Sequence, residues 1–294
     1  MRNRWATVLL AGAIGLITTD SVVGVWYRTN TIERLWVTAP RSGHAEQVIV
    51  VFPGYIMPGE FLGEALAPHL GDNDAMITIE YAERGIDIER IYRDVTAAIT
   101  RLGPTAIRVY GASMGGMCAK EFLDRYERDG TPYGKVVLVL DTAPSERADV
   151  RRPRLLFGLS AWYRGGPVSS AIWAVASRGA GHPPSEAGAD PRTLGDARQA
   201  AAWVGTPAIA TQAAYIGGFP PPGPNDLVAV AARVAYLRGR PPGSDPVVRV
   251  DAAIAGWRRA FPQLNVVTFA DRQESWHVPV IERPGETMRL ILAA

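Results

Sequence analysis

After residue 30, short runs of β-branched residues alternate with longer stretches whose apolar positions recur every three or four residues. The runs 46–52 (EQVIVVF), 75–81 (AMITIEY), 106–110 (AIRVY), 135–140 (KVVLVL), 233–237 (RVAYL) and 265–269 (NVVTF) predict buried strands. Helical periodicity predicts helices over 60–70, 86–102, 114–128, 250–261 and 286–292, and 31–37 suits an early edge strand. Strands alternating with helices of this length form βαβ units, so the expected class is α/β with a mostly parallel sheet flanked by helices.

One stretch breaks the alternation. Residues 145–226 carry no clear strand and are rich in Pro, Gly and Ala, with helix-compatible pieces at 169–177 and 194–215 and a loop at 218–225. That is too long for an ordinary connection. It reads as a helical cap inserted between the strand near 135–140 and the strand near 233–237, laid over the carboxyl ends of the strands. The expected organisation is therefore 1–30 as a separate N-terminal segment, 31–144 as the first part of the core, 145–226 as the cap and 227–294 as the second part.

The N-terminal segment begins with Arg2 and Arg4 and continues in an apolar run from Trp5 to Thr19, interrupted by Asp20 and resumed through Tyr27. A basic start before an apolar run is also what a secretory signal looks like, but the A-x-A at Ala11–Ala13 falls inside the run, where cleavage would come too early. Read as one helix, Trp5 to Tyr27 would extend ~34 Å at ~1.5 Å per residue, enough to span a bilayer. Trp5 at one end and Trp26 and Tyr27 at the other suit the two interfaces, and the two arginines set the orientation. The expectation is membrane association through residues 5–27 with an extracytoplasmic catalytic domain. Asp20 opposes it, and the alternatives are a cleaved signal or a helix docked on the domain.

Charge narrows the functional classes. The 31 basic and 29 acidic residues nearly balance, and no compact basic patch with interleaved aromatics appears, which speaks against nucleic-acid binding. Cys118 is the sole cysteine, so no internal disulfide and no cysteine-ligated zinc site can form. It reads as a small buried hydrophobe. His44, His69, His182 and His277 lie far apart in sequence and in no metal-binding spacing, so no metal or cofactor is expected.

The sharpest chemical signal is Gly111-Ala112-Ser113-Met114-Gly115-Gly116, a G-x-S-x-G sequence between a strand and a helix. A sharp strand-to-helix turn strains the serine backbone, and glycines at 111 and 115 leave room for it. The same turn sets Ser113 at a helix N-terminus, where free N–H groups favour developing negative charge. A serine hydroxyl needs a base to become a nucleophile. His277, a few residues beyond the last strand, can reach the sheet's carboxyl edge, whereas His44 precedes the first core strand, His69 ends a helix and His182 lies in the cap. Asp245, after the strand 233–237, gives the chain order Ser113, Asp245, His277; Asp141, at the end of 135–140, is the alternative acid. The oxyanion-hole donors expected are the N–H groups of Met114 and Tyr55, the latter from the loop Pro53-Gly54-Tyr55-Ile56.

These features resemble the α/β-hydrolase superfamily over about residues 32–294, the cap excepted. GASMGG is similar to the elbow of esterases, lipases and thioesterases, GSDPVV to the loop carrying the family's acid, and WHVP to its histidine loop. The chain departs from the His-Gly that many members carry after the first core strand, having Pro53-Gly54 there. The resemblance implies a serine hydrolase acting on an ester or thioester, a small molecule or a lipid. A peptidase or amidase on the same three residues and a non-catalytic hydrolase-like binding protein are the other readings. Leu155, Leu156, Phe157, Trp162, Tyr163, Ile172 and Trp173 suit either an acyl pocket or the cap's own core.

Overall fold

The nearly continuous apolar strands are apolar because both faces of the sheet are covered. In strand β2 (Gln47–Phe52), Val48, Val50 and Phe52 point into one core cluster while Ile49 and Val51 point into another on the opposite face. The protein's structure, a computed structural model, describes residues 2–26, 32–130, 133–134, 136–151, 166–168, 171, 206–223, 230–239, 245–268, 277–278, 280 and 283–294. Among these, α1 (Arg2–Trp26) precedes β1 (Arg34–Thr38), β2, α2 (Gly59–Leu66), β3 (Asp74–Glu80), α3 (Ile88–Leu102), β4 (Ala106–Ala112), α4 (Met114–Arg128) and β5 (Val136–Asp141). Within the insertion lies α5 (Thr206–Gly218), and beyond it come β6 (Ala231–Arg238), α6 (Val250–Ala260), β7 (Asn265–Thr268) and α7 (Pro284–Ala293).

The strands form one sheet in the order β1-β3-β2-β4-β5-β6-β7. Only β1 runs antiparallel, as Arg34 pairs with Glu80 and Thr38 with Met76. The fold class expected from the sequence, a mostly parallel sheet flanked by helices, is the one observed. Leu62 and Leu66 of α2 and Met288 and Ile291 of α7 cover one face; Ile91 and Val95 of α3, Phe122 of α4 and Trp257 of α6 cover the other.

This placement opens a crevice. The strand order reverses about β2, which lies between β3 and β4. The chain leaves β2 toward α2 on one face and leaves β4 toward α4 on the other, so the loops after these adjacent strands part at their carboxyl ends.

Boundaries shift where local chemistry intervenes. The helix expected over 60–70 ends as an α-helix at Leu66 and finishes as a 3₁₀ turn at Ala67–His69, because Pro68 has no N–H to continue the ladder. Its N-terminus lacks a cap from its own chain segment; the Glu80 carboxylate, at the end of β3, accepts from the Gly59 and Glu60 N–H groups instead. The helical piece expected over 194–215 is α-helical from Thr206 to Gly218, with Pro207 in its first turn. The expected pocket residues Leu155, Leu156, Phe157, Trp162, Tyr163, Ile172 and Trp173 lie outside the described residues, as does most of the insertion.

Close approach of α4 to the sheet depends on glycine. A Cβ on Gly115 would overlap the carbonyl oxygen of Phe52 and come within 2.6 Å of that of Pro53, both of them backbone atoms with no room to retreat. Gly115→Ala is therefore expected to destabilise the protein by about 3 kcal/mol or more. Chemical denaturation of the variant beside the wild type measures the loss.

Candidate active site

Ser113 sits between β4 and α4 with φ +48° and ψ −119°, a conformation that non-glycine residues rarely adopt. Its N–H donates to the Asp141 carbonyl at the end of β5, and its carbonyl accepts from Gly116 N–H. These two bonds pin the residue at the carboxyl edge of the sheet. Gly111 permits the turn, since a Cβ there would lie 2.6 Å from the Gly116 Cα. Met114 is the first residue of α4, where N–H groups have no acceptor within the helix.

The imidazole of His277 reaches this serine. Its Nε2 lies 2.8 Å from Ser113 Oγ, and its Nδ1 lies 3.0 Å from Asp245 Oδ2. With Nδ1–H donating to the carboxylate, Nε2 is left as the acceptor for the serine hydroxyl. Asp245 is buried, and its other oxygen accepts from the Val247 and Val248 N–H groups, each at 2.7 Å. Burial works against the charged carboxylate, but the hydrogen bond and charge of His277 and the two backbone donors outweigh it and hold the pKa below the ordinary range.

Asp141, the alternative acid, is placed differently. Its carboxylate is fully buried and accepts from the Tyr110 hydroxyl at 2.7 Å and from Thr142 Oγ1 at 3.4 Å. It is Asp245 whose carboxylate bonds the ring.

The loop after β2 lies against Ser113. A Cβ on Gly54 would meet Ser113 Cβ at 3.4 Å and the Ala112 carbonyl at 3.2 Å. Gly54 to Met57 form a turn closed by Met57 N–H donating to the Gly54 carbonyl. The buried Tyr81 hydroxyl donates to the Pro53 carbonyl at 3.1 Å and anchors the start of that loop.

Sequence reasoning passed over several residues that shape the site. Thr142 has φ +45° and accepts from the Val278 N–H through Oγ1, so it fixes the residue next to His277. The Asp245 loop is clamped by the stretch after β5: Val150 bridges Val248, Arg151 N–H donates to the Val247 carbonyl, and Arg249 N–H to that of Asp149. From the insertion, Gln212 Oε1 accepts from Ile56 N–H at 2.8 Å. A threonine after a strand and a glutamine in a helix carry no distinguishing pattern; in sequence, only the nearness of Thr142 to Asp141 pointed toward the site.

Cys118 is fully buried, and burial pushes its thiol up to about 12, which leaves no thiolate to act as a nucleophile. Among the described residues, no group of three or more His, Cys, Asp or Glu side chains is placed to hold a metal ion.

No protein-family model and no curated protein matches the chain by sequence. Solved structures do match. A carboxylesterase of the thaumarchaeon Nitrososphaera gargenis superposes with a TM-score of 0.62 at 13% identity, covering 89% of this chain and 93% of that one. An esterase from Exiguobacterium antarcticum gives 0.59 at 13% identity over 89% and 94% of the two chains. The type II thioesterase BorB from the borrelidin biosynthetic cluster gives 0.57 at 18% identity over 88% and 96%. The chain has the α/β-hydrolase fold. In this chain Ser113 follows β4, Asp245 follows β6 and His277 follows β7, and the three side chains meet.

The depressed pKa of Asp245 has a consequence for stability. Because the folded-state pKa lies below the unfolded one, the charged carboxylate contributes stability above ~3.9 that is lost as pH falls through the folded-state pKa. Asp245→Asn keeps an acceptor for the two N–H groups but removes the charge. It is expected to be less stable than the wild type at pH 7, with the gap closing as the medium is acidified toward pH 3. Urea denaturation of both proteins across that range checks the convergence.

Proposed function

We propose that this protein is a serine hydrolase that cleaves an ester or thioester by acyl transfer to water. The observation that carries the reading is the continuous chain Ser113 Oγ–His277 Nε2 at 2.8 Å and His277 Nδ1–Asp245 Oδ2 at 3.0 Å, built on a strained elbow. The carboxylesterase, esterase and thioesterase structures that share the fold support the same reaction class.

In this reading, Ser113 Oγ attacks the substrate carbonyl as His277 Nε2 takes its proton. The imidazolium so formed is stabilised by the Asp245 carboxylate, which stays ionised because its pKa is held low. The negative charge gathering on the carbonyl oxygen faces the start of α4, with the Met114 N–H as one donor and the Tyr55 N–H as the other; a single such donor is typically worth ~3 kcal/mol of transition-state stabilisation. His277 then protonates the leaving alcohol or thiol, which departs and leaves the acyl group on Ser113. Water, deprotonated by the same imidazole, attacks the acyl-enzyme, and the acid product leaves as Ser113 recovers its proton.

The proposal includes membrane attachment. Helix α1 contains a stretch, Ala6–Gly24, that is 19 residues long and apolar enough to cross a bilayer. Val8, Leu9, Leu10, Ile14 and Leu16 of this helix are all exposed, and lipid would cover them. Asp20, the one acid in the stretch, accepts from the Val168 N–H at 2.9 Å and is buried against residues of the insertion. That bond offsets the cost of placing an acid near the apolar surface. With Arg2 and Arg4 on the cytoplasmic side, the catalytic domain lies outside the cytoplasm, and esters carried by lipids or the cell envelope become the favoured substrates.

Ser113→Ala is expected to lower kcat/KM on p-nitrophenyl esters by roughly 10⁴-fold or more and to abolish covalent labelling by a fluorophosphonate, while melting stays close to that of the wild type. Labelling that persists in the variant would move the nucleophile elsewhere. For the membrane, the full-length protein should remain in the pellet after alkaline carbonate extraction, and a variant lacking residues 1–30 should be soluble and hydrolyse the same esters. Secretion of a chain beginning after residue 20 would instead identify a cleaved signal.

A further inference from the structure

The turn after β2 holds a residue in a conformation its side chain disfavours. Among the four turn residues, Gly54 to Met57, positive φ falls at the third, Ile56, at +62°, and not at Tyr55. That is the type II arrangement, whose third position calls for glycine or asparagine. A β-branched isoleucine there is strained. Rotating the Tyr55–Ile56 peptide by about half a turn would convert the turn to type I and return Ile56 to negative φ.

One bond opposes that rotation. Ile56 N–H donates to Oε1 of Gln212, 156 residues away on α5. Gln212 is buried, and its helix is docked by two further bonds on the same side: Thr211 Oγ1 donates to the Glu83 carbonyl, and the Tyr215 hydroxyl to Glu121. A peptide flip would carry the Ile56 N–H away from Gln212 and turn the Tyr55 carbonyl toward the space it leaves. The turn is packed on Ser113 through Gly54, so the direction of this peptide is part of the surroundings of any oxyanion formed at Ser113.

We propose that Gln212 is a positioning residue of the turn after β2: by accepting from the Ile56 N–H, its side-chain oxygen keeps the Tyr55–Ile56 peptide from flipping, and so holds the Tyr55 carbonyl turned away and the turn that carries the Tyr55 N–H in place. The inference rests on the serine-hydrolase reading above. Through it, a helix of the insertion takes part in transition-state stabilisation without touching substrate.

The test is Gln212→Met, which preserves side-chain length and apolar volume but offers no comparable acceptor. Gln212→Ala makes the same comparison if methionine at 212 does not fold. The kcat for a p-nitrophenyl ester should fall roughly ten- to a hundredfold with KM little changed, and a boronic acid, which forms a tetrahedral adduct on the serine, should bind more weakly in proportion. A merely structural role would lower melting temperature without this pairing of kcat and adduct affinity. The decisive comparison is made in an Ile56→Gly background, where glycine accepts positive φ without help. There, Gln212→Met should change kcat by less than about threefold, because the two substitutions act on one peptide. Unchanged or increased kcat in the single variant, or a full-sized loss in the glycine background, would overturn the proposal. Absence of fluorophosphonate labelling in the wild type would instead reject the underlying serine-hydrolase reading.

Discussion

The close contact between the start of α4 and the end of β2 governs the geometry of the site. Gly115 touches the carbonyls of Phe52 and Pro53, while Ser113 hangs from the Asp141 carbonyl on the other side. Ser113, the loop after β2 and the end of β5 are therefore held at fixed separations by backbone atoms, with few side-chain torsions in between. Such tightness has a conformational cost. The four non-glycine residues with positive φ among the described residues are Ser113, Ile56 in the turn that packs on it through Gly54, Thr142 just after β5 and Val278 next to His277. Strain of this kind costs of order 1–3 kcal/mol per residue and persists only where the surroundings over-determine the backbone. Its concentration around one serine fits a site whose geometry is fixed before substrate arrives.

The histidine and the acid reach that serine by a different route. Neither lies on a strand, and each is fixed by bonds from a neighbouring loop. Thr142 accepts from Val278 N–H and so sets the backbone just beyond His277. The stretch 149–151 pairs with 247–249 and sets the backbone just beyond Asp245. A buried carboxylate is tolerable only with several donors, and Asp245 has two N–H groups and the imidazole. Asp141 is equally buried but is satisfied by Tyr110 and Thr142, which gives it the part of a structural acid that braces the threonine beside it.

This division explains what could be read from the chain. The strands were legible because a sheet covered on both faces makes them apolar throughout, and the elbow because its steric needs fall on residues 111 to 116, a local pattern. Asp245 and His277 were reachable from their positions after the last two core strands. Tyr81, Thr142 and Gln212 were not, since their contacts to Pro53, Val278 and Ile56 join positions 28, 136 and 156 residues apart and involve ordinary side chains. The insertion was legible as an interruption but not in its register. Of the piece expected over 194–215, residues 194–205 lie outside the described residues; from Thr206 the helix continues to Gly218, and its Ala- and Gly-rich composition offers no apolar stripe from which its buried face could be chosen.

The buried face of α5 shows how an insertion becomes part of a site. Thr211, Gln212 and Tyr215 lie within about one helical turn, and each bonds a different piece of the core: the loop after β3, the loop after β2, and α4. Two of these pieces are loops at the carboxyl edge where the strand order reverses, and the third carries the elbow at its N-terminus. A rigid helix that bonds all three cannot shift without disturbing at least one of them. Its bond to Ile56 fixes the central peptide of the turn that packs on Ser113 through Gly54. A substitution that moves α5 would therefore be felt in the turn packed on Ser113, because Gln212 is the side chain that bonds the N–H at its centre.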